Sequence, residues 1–189
     1  MSYFGVDKKE MPRTVLADLS AEGSMKKYHF TGSKAHRLAD LRAFESAFLR
    51  GDLSPDLKSE EDKPSNDRGK AKVLVGKSFA SRVDGKDALV MFHAPWCGHC
   101  KALAPTWDDL GEALEANDHV VIAKMDATAN EIDVPGVVIK GFPTIYFFPE
   151  EGSPAVYEGG REVVDFVAFL KERAVRPFEV AEKEPKDEL

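Results

Sequence analysis

The sequence contains only two cysteines, Cys97 and Cys100, among its 189 residues. Two cysteines three positions apart do not provide the framework of several disulfides that stabilises small secreted domains. A bridge between them would close a very short loop, and such a loop restrains the unfolded chain little. A chemical role for the pair is therefore favoured over a structural one.

Long apolar runs and an excess of positive charge are also missing. The apolar stretches, among them 88–91 and 120–123, have the length of strands, whereas a helix that crosses a bilayer needs roughly 20 apolar residues. The formal net charge is −7 at pH 7, so the sequence offers no broad basic face to nucleic acid or to an anionic membrane. We therefore predict neither a nucleic-acid partner nor a membrane partner.

The two termini differ in what they indicate about cellular location. Residues 1–15 lack the apolar core and the cleavage site of a secretory signal peptide. The chain ends in Lys186, Asp187, Glu188 and Leu189. This tetrapeptide has the form of the signal by which the KDEL receptor retrieves proteins to the endoplasmic reticulum lumen; the alternative is the solvated end of a charged tail. Because a lumenal protein needs an entry signal, we expect this chain to be the C-terminal piece of a longer precursor.

The first part of the chain, residues 1–50, has too few elements for a core of its own. Segments 13–19 and 26–30 have the composition of strands. A helix is predicted from apolar residues that recur at steps of three and four, namely Leu38, Leu41, Phe44 and Phe48. Two strands and one helix bury too little apolar surface to fold alone. Residues 51–70 lack periodicity and are rich in Pro, Asp, Glu and Ser, which predicts a linker.

Residues 71–176 alternate strands and helices. Apolar runs at 88–94 and 120–125 predict strands buried on both faces. A helix within 97–116 is predicted from the spacing of Leu103, Trp107, Leu110 and Leu114. Shorter segments predict the other strands and helices, at 72–75, 78–83, 144–148, 155–157 and 166–170. The order βαβαβ, an irregular stretch and ββα predicts an α/β fold with a mixed central sheet and helices on both faces. An acidic, solvated tail is predicted for 177–189.

The two cysteines lie where a buried strand is predicted to pass into a helix, in the sequence APWCGHCK at 94–101. Their spacing of three places both sulfurs on one helical face. Cys97 falls at the helix N-terminus, where unpaired N–H groups and a partial positive charge stabilise a thiolate. Such positions lower a cysteine pKa from about 8.5 into a range of about 3.5–7.5. Protonated His99 adds positive charge, and a stabilised reduced form makes the pair a stronger oxidant.

Two other interpretations of the cysteine pair are weaker. A zinc site needs two further ligands, but the sequence has no second CxxC motif. No metal-motif spacing is found among the other histidines, His29, His36, His93 and His119. An inert buried pair is disfavoured because Gly98 and His99, at a helix start, make a poor core. We therefore predict redox use of the pair, without a metal or a cofactor.

The motif APWCGHCK resembles the active site of the protein disulfide isomerases of the thioredoxin superfamily. The resemblance continues through KALAPTWDDLGEALE, HVVIAKMDATANE, KGFPTIYFFP, VYEGGRE and the terminal KDEL. It implies a thioredoxin-like fold for residues 71–176, similar to the last catalytic domain, a′, of these enzymes. Residues 1–50 resemble the end of the non-catalytic b′ domain, a partial thioredoxin-like ββα segment. The strings ANEIDVPG, TIYFFP and YEGGRE resemble the glycoprotein-directed branch that works with calnexin and calreticulin.

This resemblance implies roles for the residues of the motif. Cys97 resembles the nucleophile that forms the mixed disulfide, and Cys100 resembles the buried resolving cysteine, so that the two form a redox-active disulfide. Gly98 and His99 match the residues that set the redox potential of that disulfide. Trp96 matches a residue that positions the substrate.

Residues distant from the motif also match the family. Pro143 matches a cis-proline packed against the disulfide, and Phe142 before it would offer its backbone to an extended substrate; a trans turn proline is the alternative. Arg161 matches an arginine that lowers the pKa of the resolving cysteine, and Lys124 matches a lysine beside a buried acid. From the residues alone, Arg161 is equally a solvated residue at a helix start, and Lys124 an edge charge.

Met91 departs from the pattern of the family. Its position, six residues before Cys97, usually carries a buried glutamate that takes the proton of the resolving cysteine. Methionine accepts no proton, so we expect slower deprotonation of Cys100 and slower resolution of mixed disulfides at low pH. The absence of a buried charge also favours stability. His93 is either a compensating proton shuttle or a harmless residue at the strand end.

The resemblance implies an enzyme that forms, reduces and rearranges disulfides in secretory proteins. Its partners would be unfolded or misfolded secretory polypeptides, together with glutathione or an oxidase of the endoplasmic reticulum for redox recycling. One alternative is a non-catalytic chaperone or scaffold fragment of a larger isomerase, which is disfavoured because half a b′ domain leaves the peptide cleft incomplete. The other is a thioredoxin-type reductase, which His99 and the C-terminal tetrapeptide disfavour.

Overall fold

The structure is a computed structural model that describes residues 9, 11–19, 25–32 and 37–181. The chain divides into two compact units, Met1–Lys58 and Ser59–Leu189. The tetrapeptide predicted to be a retrieval signal lies outside the described residues.

The first unit is a two-stranded ribbon followed by a helix. Strand β1 (Val15–Asp18) pairs antiparallel with β2 (Lys26–His29), and α1 comprises Leu38–Leu49. No residue of α1 is fully buried; the helix packs on the ribbon through edge-to-face aromatic pairs, Tyr28 with Phe48 and Phe30 with Phe44. The ββα order predicted from the sequence is present, and it encloses little core.

The second unit is built on a five-stranded mixed sheet. Its elements are β3 (Lys72–Val73), α2 (Phe79–Val83), β4 (Asp87–His93), α3 (Gly98–Leu114), β5 (Val120–Asp126), β6 (Thr144–Phe148), β7 (Ala155–Val156) and α4 (Val163–Arg173). The strand order is β3-β5-β4-β6-β7. Strands β3, β5 and β4 are parallel, whereas β6 and β7 are antiparallel to their neighbours. The predicted order of elements is therefore present.

Side chains of β4 alternate between two cores. Leu89 and Met91 belong to the larger cluster, which also contains residues of α3 and α4. Val90 and Phe92 point to the opposite face and share a second cluster with Phe79 of α2. Period-two alternation along a strand that is covered on both sides gives this pattern. Helices thus cover both faces of the sheet, as predicted.

The second half of the predicted linker, residues 59–70, belongs to the second unit. The amide N–H of Glu60 donates to Asn130 Oδ1 at 2.9 Å, and Asn130 Nδ2 donates to Glu60 Oε2 at 2.8 Å. Arg82 forms ion pairs with both Asp62 and Asp67. Local composition indicates a solvated linker at these residues. It does not show that their polar groups have partners far away in the sequence.

The start of the predicted solvated tail also packs on the second unit. The amide N–H of Glu179 donates to Asn117 Oδ1 at 3.1 Å, while Asn117 Nδ2 donates to the Glu179 carbonyl at 2.7 Å. Phe178 and Val180 pack against the larger core cluster. These two apolar side chains, two positions apart, explain why residues 177–181 follow the surface of the unit.

Candidate active site

The candidate site lies where β4 passes into α3. A tight turn joins the two elements, in which the Cys97 N–H donates to the Ala94 carbonyl at 3.0 Å. Cys97 is the N-cap of α3, with extended backbone angles, and the helix begins at Gly98. The buried strand and the helix therefore fix the position of Cys97 at the edge of the sheet, as the sequence predicts.

Both sulfurs are held inside the first turn of α3. The structure joins Cys97 and Cys100 as a disulfide with a Cα–Cα distance of 5.3 Å. Cys97 Sγ also accepts the Cys100 N–H at 3.2 Å, in the place of the oxygen that usually caps a helix N-terminus. The two side chains are 6% and 5% exposed. An anion on Cys97 would meet the same amide and the positive end of the helix.

Phe142 connects the cysteines to a more exposed apolar surface. It packs against the small cluster of Ala94, Cys97 and Cys100, and its peptide bond to Pro143 is cis, as the resemblance implies. Trp96 is 72% exposed, and its ring meets that of Phe142 edge to face with centroids 5.8 Å apart. The arrangement offers an extended peptide an apolar contact beside the disulfide.

The structure does not bring all the predicted tuning residues to the sulfurs. Gly98 and His99 are exposed in the first turn of α3. Arg161 is exposed in the loop before α4. Within residues 37–181 it makes no hydrogen bond or ion pair.

Lys124 has a partner that sequence analysis missed. Its Nζ lies 3.0 Å from Asp108 Oδ1 on α3, although Lys124 pairs in register with Met91 across β5 and β4. Met91 is only 2% exposed and lies in the larger core cluster. The lysine therefore forms its ion pair near the surface and not with a group in the core. No local sequence pattern marks Asp108, because α3 and β5 come together only in the folded structure.

His93 ends β4, pairs in register with Asp126 and is half-buried. Burial lowers the pKa of His93 below its ordinary 6.5, and the Lys124 charge lowers it further. The negative charges of Asp126 and Glu60 and a hydrogen bond to the backbone of Ala94 oppose this shift. The neutral imidazole is thus the dominant form at neutral pH.

The described part of the chain contains neither a metal cluster nor a helix that could span a membrane. Within it, no group of three or more His, Cys, Asp or Glu side chains is arranged to hold a metal ion. None of the helices there has the length and apolar character that spanning a bilayer requires.

Comparison with known proteins matches the second unit to a family model. The model described as Thioredoxin matches residues 70–172. Protein disulfide-isomerase A3 of Gallus gallus is 43% identical over 181 residues, which cover 92% of this chain and 34% of that protein. Protein disulfide-isomerase of Gallus gallus is 39% identical over 175 residues, which cover 90% and 33%. The chain thus spans about a third of the length of these relatives.

One solved structure is similar to a large part of the chain. The first thioredoxin domain of mouse Protein disulfide-isomerase A4, determined in solution, has 29% sequence identity and a TM-score of 0.46. The similarity covers 70% of this chain and 94% of that domain.

Proposed function

Because this chain belongs to the thioredoxin family, we propose that it is a thiol–disulfide oxidoreductase and protein disulfide isomerase. The observation that carries the proposal is the position of Cys97 Sγ, which caps α3 and accepts the Cys100 N–H at 3.2 Å. The names of the two relatives from Gallus gallus support the same activity. As the chain spans about a third of each relative, the activity of a whole isomerase is proposed by similarity.

Oxidation of a client proceeds by two thiol–disulfide exchanges. A client thiolate attacks Cys97 Sγ, so that the Cys97–Cys100 bond breaks and a mixed disulfide forms at Cys97. A second client thiolate then attacks the client sulfur of that mixed disulfide and expels Cys97. The client gains a disulfide, and the enzyme keeps two thiols. The departing group is the Cys100 thiolate in the first exchange and the Cys97 thiolate in the second. The helix N-terminus favours the second exchange because it makes the Cys97 thiolate a good leaving group.

Reduction and rearrangement begin with the reduced enzyme. The Cys97 thiolate attacks a client disulfide, forms a mixed disulfide and releases one client thiolate. That thiolate can then attack another client disulfide and release a different client thiolate. When this second thiolate attacks the client sulfur of the mixed disulfide, Cys97 is expelled and the client is rearranged. Alternatively, Cys100 attacks Cys97, restores the Cys97–Cys100 disulfide and releases the client reduced. Cys97 is therefore the nucleophile and Cys100 the resolving cysteine.

The neighbouring residues tune and position this exchange in our proposal. Gly98 and His99 lie beside both sulfurs in sequence and shape the redox potential; a protonated His99 favours the reduced form. Lys124 and Arg161 would adjust the charge around the pair, and Arg161 has to move toward the cysteines to do so.

Clients are proposed to be unfolded or misfolded secretory polypeptides in extended conformation. Trp96 and Phe142 supply an apolar surface next to Cys97, and Pro143 follows Phe142 immediately before β6. Apolar side chains that a native protein would bury fit such a surface. No cofactor takes part, because the exchanges are complete with thiols and disulfides alone.

The proposed location is the endoplasmic reticulum lumen. Recycling would use glutathione or an oxidase of that compartment, and the KDEL receptor would bind Lys186, Asp187, Glu188 and Leu189. Calnexin and calreticulin are the proposed partners if the chain is of the glycoprotein-directed type. The proposed domains are a b′-like end at 1–50 and a catalytic domain at 71–176. Of the linker predicted at 51–70, residues 59–70 pack with the catalytic domain, and the tail predicted at 177–189 begins with residues that also pack there.

Two assays with cysteine variants test the proposal. Cys97→Ser should abolish both insulin reduction, measured as turbidity, and reactivation of scrambled ribonuclease. Cys100→Ser should abolish insulin reduction and accumulate mixed disulfides at Cys97. Comparable activity of Cys97→Ser in both assays would overturn the proposal and favour a peptide-binding scaffold. Insulin reduction without ribonuclease reactivation by the parent would restrict the function to that of a reductase.

A further inference from the structure

The resolving step needs a base that the core around Cys100 does not supply. Cys100 is 5% exposed and packs with Ala94, Cys97 and Phe142. None of the three is a base in the resolving step, because Cys97 is then bonded to the client sulfur. Among the described residues, only Asp87 and Asn130 are buried polar or charged side chains. Asp87 lies at the opposite end of β4, and the side-chain amide of Asn130 does not titrate near neutral pH. A protein group that takes the proton of Cys100 therefore has to lie at the margin of this core.

His93 lies on the correct face of the sheet and at the level of Cys100. Alternation along β4 places His93 on the same face as Met91, whose cluster includes Leu103 of α3. From Met91, His93 is two residues, about 6.6 Å, further toward the end of the strand. From Leu103, Cys100 is three residues, about 4.5 Å, nearer the start of α3. Both displacements run toward the turn at 94–97, so they bring the imidazole and the thiol to one level.

We propose that His93 is the base that accepts the proton of Cys100 when Cys100 resolves the mixed disulfide at Cys97. This inference rests on the proposed thiol–disulfide exchange and deepens it. Met91 occupies the neighbouring position on the same face of β4, and its thioether accepts no proton. His93 is therefore the base that this face of β4 offers at the end nearest the cysteines.

The charges around His93 suit both states of the imidazole. Burial is the main cause that keeps the pKa below 6.5, so the resting group is neutral and can take a proton. Asp126 faces it from β5 and Glu60 acts from the segment before β3; both carboxylates stabilise the imidazolium once it forms. Lys124 opposes this, but Asp108 neutralises it at 3.0 Å.

The step balances in atoms and electrons. The proton of the Cys100 thiol passes to the neutral imidazole of His93, and the Cys100 thiolate attacks Cys97 Sγ. The bond between Cys97 and the client sulfur breaks, and the client leaves as a thiolate. The Cys97–Cys100 pair is oxidised and the client sulfur is reduced. The client thiolate takes up a proton from solvent, and His93 releases its proton to solvent.

The test measures resolution separately from attack. A mixed disulfide between Cys97 and glutathione is formed on the full chain at acid pH. Release of glutathione is then followed by stopped flow between pH 5 and 8. In the parent, the rate should level off above the pKa of His93. His93→Phe and His93→Asn should resolve at least about tenfold more slowly at pH 7, a modest loss for a general base. Their rate should rise tenfold per pH unit without a plateau.

Two controls separate this role from a structural one. His119→Asn changes a histidine that contacts the Pro177 carbonyl at 3.1 Å, and its resolution profile should match the parent. Attack of Cys97 on a disulfide, measured in the Cys100→Ser background with and without His93→Phe, should be equal. The two His93 variants, His93→Phe and His93→Asn, differ in size, so that the test does not depend on the folding of a single variant.

Either of two results would overturn the inference. One is a parent-like profile in both His93 variants. The other is an equal slowing of attack and resolution together with a lower thermal midpoint, which would make His93 a packing residue. In both cases attack by Cys97, unchanged in the first and slowed in the second, would leave the proposed oxidoreductase function intact. Loss of attack in Cys97→Ser tests that function independently.

Discussion

Met91 shows how one residue changes the electrostatics of this core. It lies on the central strand with 2% of its surface exposed, next to Lys124 in register. A carboxylate at this place would face apolar neighbours of α3, where an unpaired charge is costly. The thioether avoids this cost, and Lys124 finds Asp108 instead.

Met91→Glu should destabilise the second unit, and the loss should grow as pH rises. Burial raises the pKa of the new carboxyl in the folded state. Above the unfolded value of about 4.3 the folded state then binds more protons than the unfolded one, so the free energy of unfolding falls with increasing pH. We expect a loss of about 2 kcal/mol or more at pH 7, measured by urea unfolding.

The volume control for this change is Met91→Leu, which should cost less than about 1.5 kcal/mol at every pH. Equal stability of the two variants at pH 7 would contradict the claim that a charge at position 91 is costly.

Single residues also mark the limit of sequence-based prediction. Cys97, Cys100 and the cis bond before Pro143 are where the motif and the resemblance place them. Asp108 and Asn130 escaped notice because their roles depend on partners in other elements, Lys124 for one and Glu60 for the other. A buried amide with four hydrogen bonds has no signature in local composition.

At the scale of elements, α3 does two things at once. Its first turn holds the disulfide, and its interior positions line the core through side chains such as Trp107, whose Nε1 donates to the Ala123 carbonyl at 2.9 Å. The apolar spacing predicted this helix well, because one face is buried along its length. Gly111 is the exception in the pattern, since it is a buried glycine within the helix.

Gly111→Ala should destabilise the protein although alanine is the better helix former. A Cβ at Gly111 would lie 2.5 Å from the carbonyl carbon and oxygen of Lys70 and 2.7 Å from the Ala71 nitrogen, which are backbone atoms. Overpacking of this kind costs about 1–3 kcal/mol, against a helix gain of about 1 kcal/mol. Urea unfolding should therefore show a net loss.

Gly98→Ala is the matched change in the same helix, because a Cβ there meets nothing within 4 Å. Its free energy of unfolding should stay equal or rise by up to about 1 kcal/mol. A gain in stability for Gly111→Ala of the same size would show that the contact with Lys70 is absent.

For the whole molecule, the thioredoxin-like fold predicted from the sequence is confirmed by the family match over 70–172. The mixed character of the sheet followed from the predicted order βαβαβ and ββα, because parallel strands need crossover connections and antiparallel strands do not. The extent of the second unit did not follow. Residues 59–70 are polar in composition, yet the buried Asn130 accepts the Glu60 N–H and holds this segment on the unit. Near the other end, the buried Asp87 accepts the N–H groups of Glu150 and Val175.

Truncated chains test how far the second unit extends toward the N-terminus. A chain that begins at Ser59 should fold and exchange disulfides, because the second unit is complete from that residue. A chain that begins at Ala71 loses Glu60 and both carboxylate partners of Arg82. The buried Asn130 amide then lacks two hydrogen bonds, and we expect a loss of about 2 kcal/mol in unfolding free energy. Equal stability of the two chains would mean that residues 59–70 are a linker after all.

The central claim is that α3 stabilises a thiolate on Cys97, and titration of that thiol tests it most directly. Ultraviolet absorbance of the thiolate is followed against pH in reduced Cys100→Ser, which keeps the backbone N–H at position 100. We predict a Cys97 pKa between about 3.5 and 7.5 in the folded variant, and a return to about 8.5 when the same variant is unfolded in urea. A folded value of about 8.5 would contradict the account.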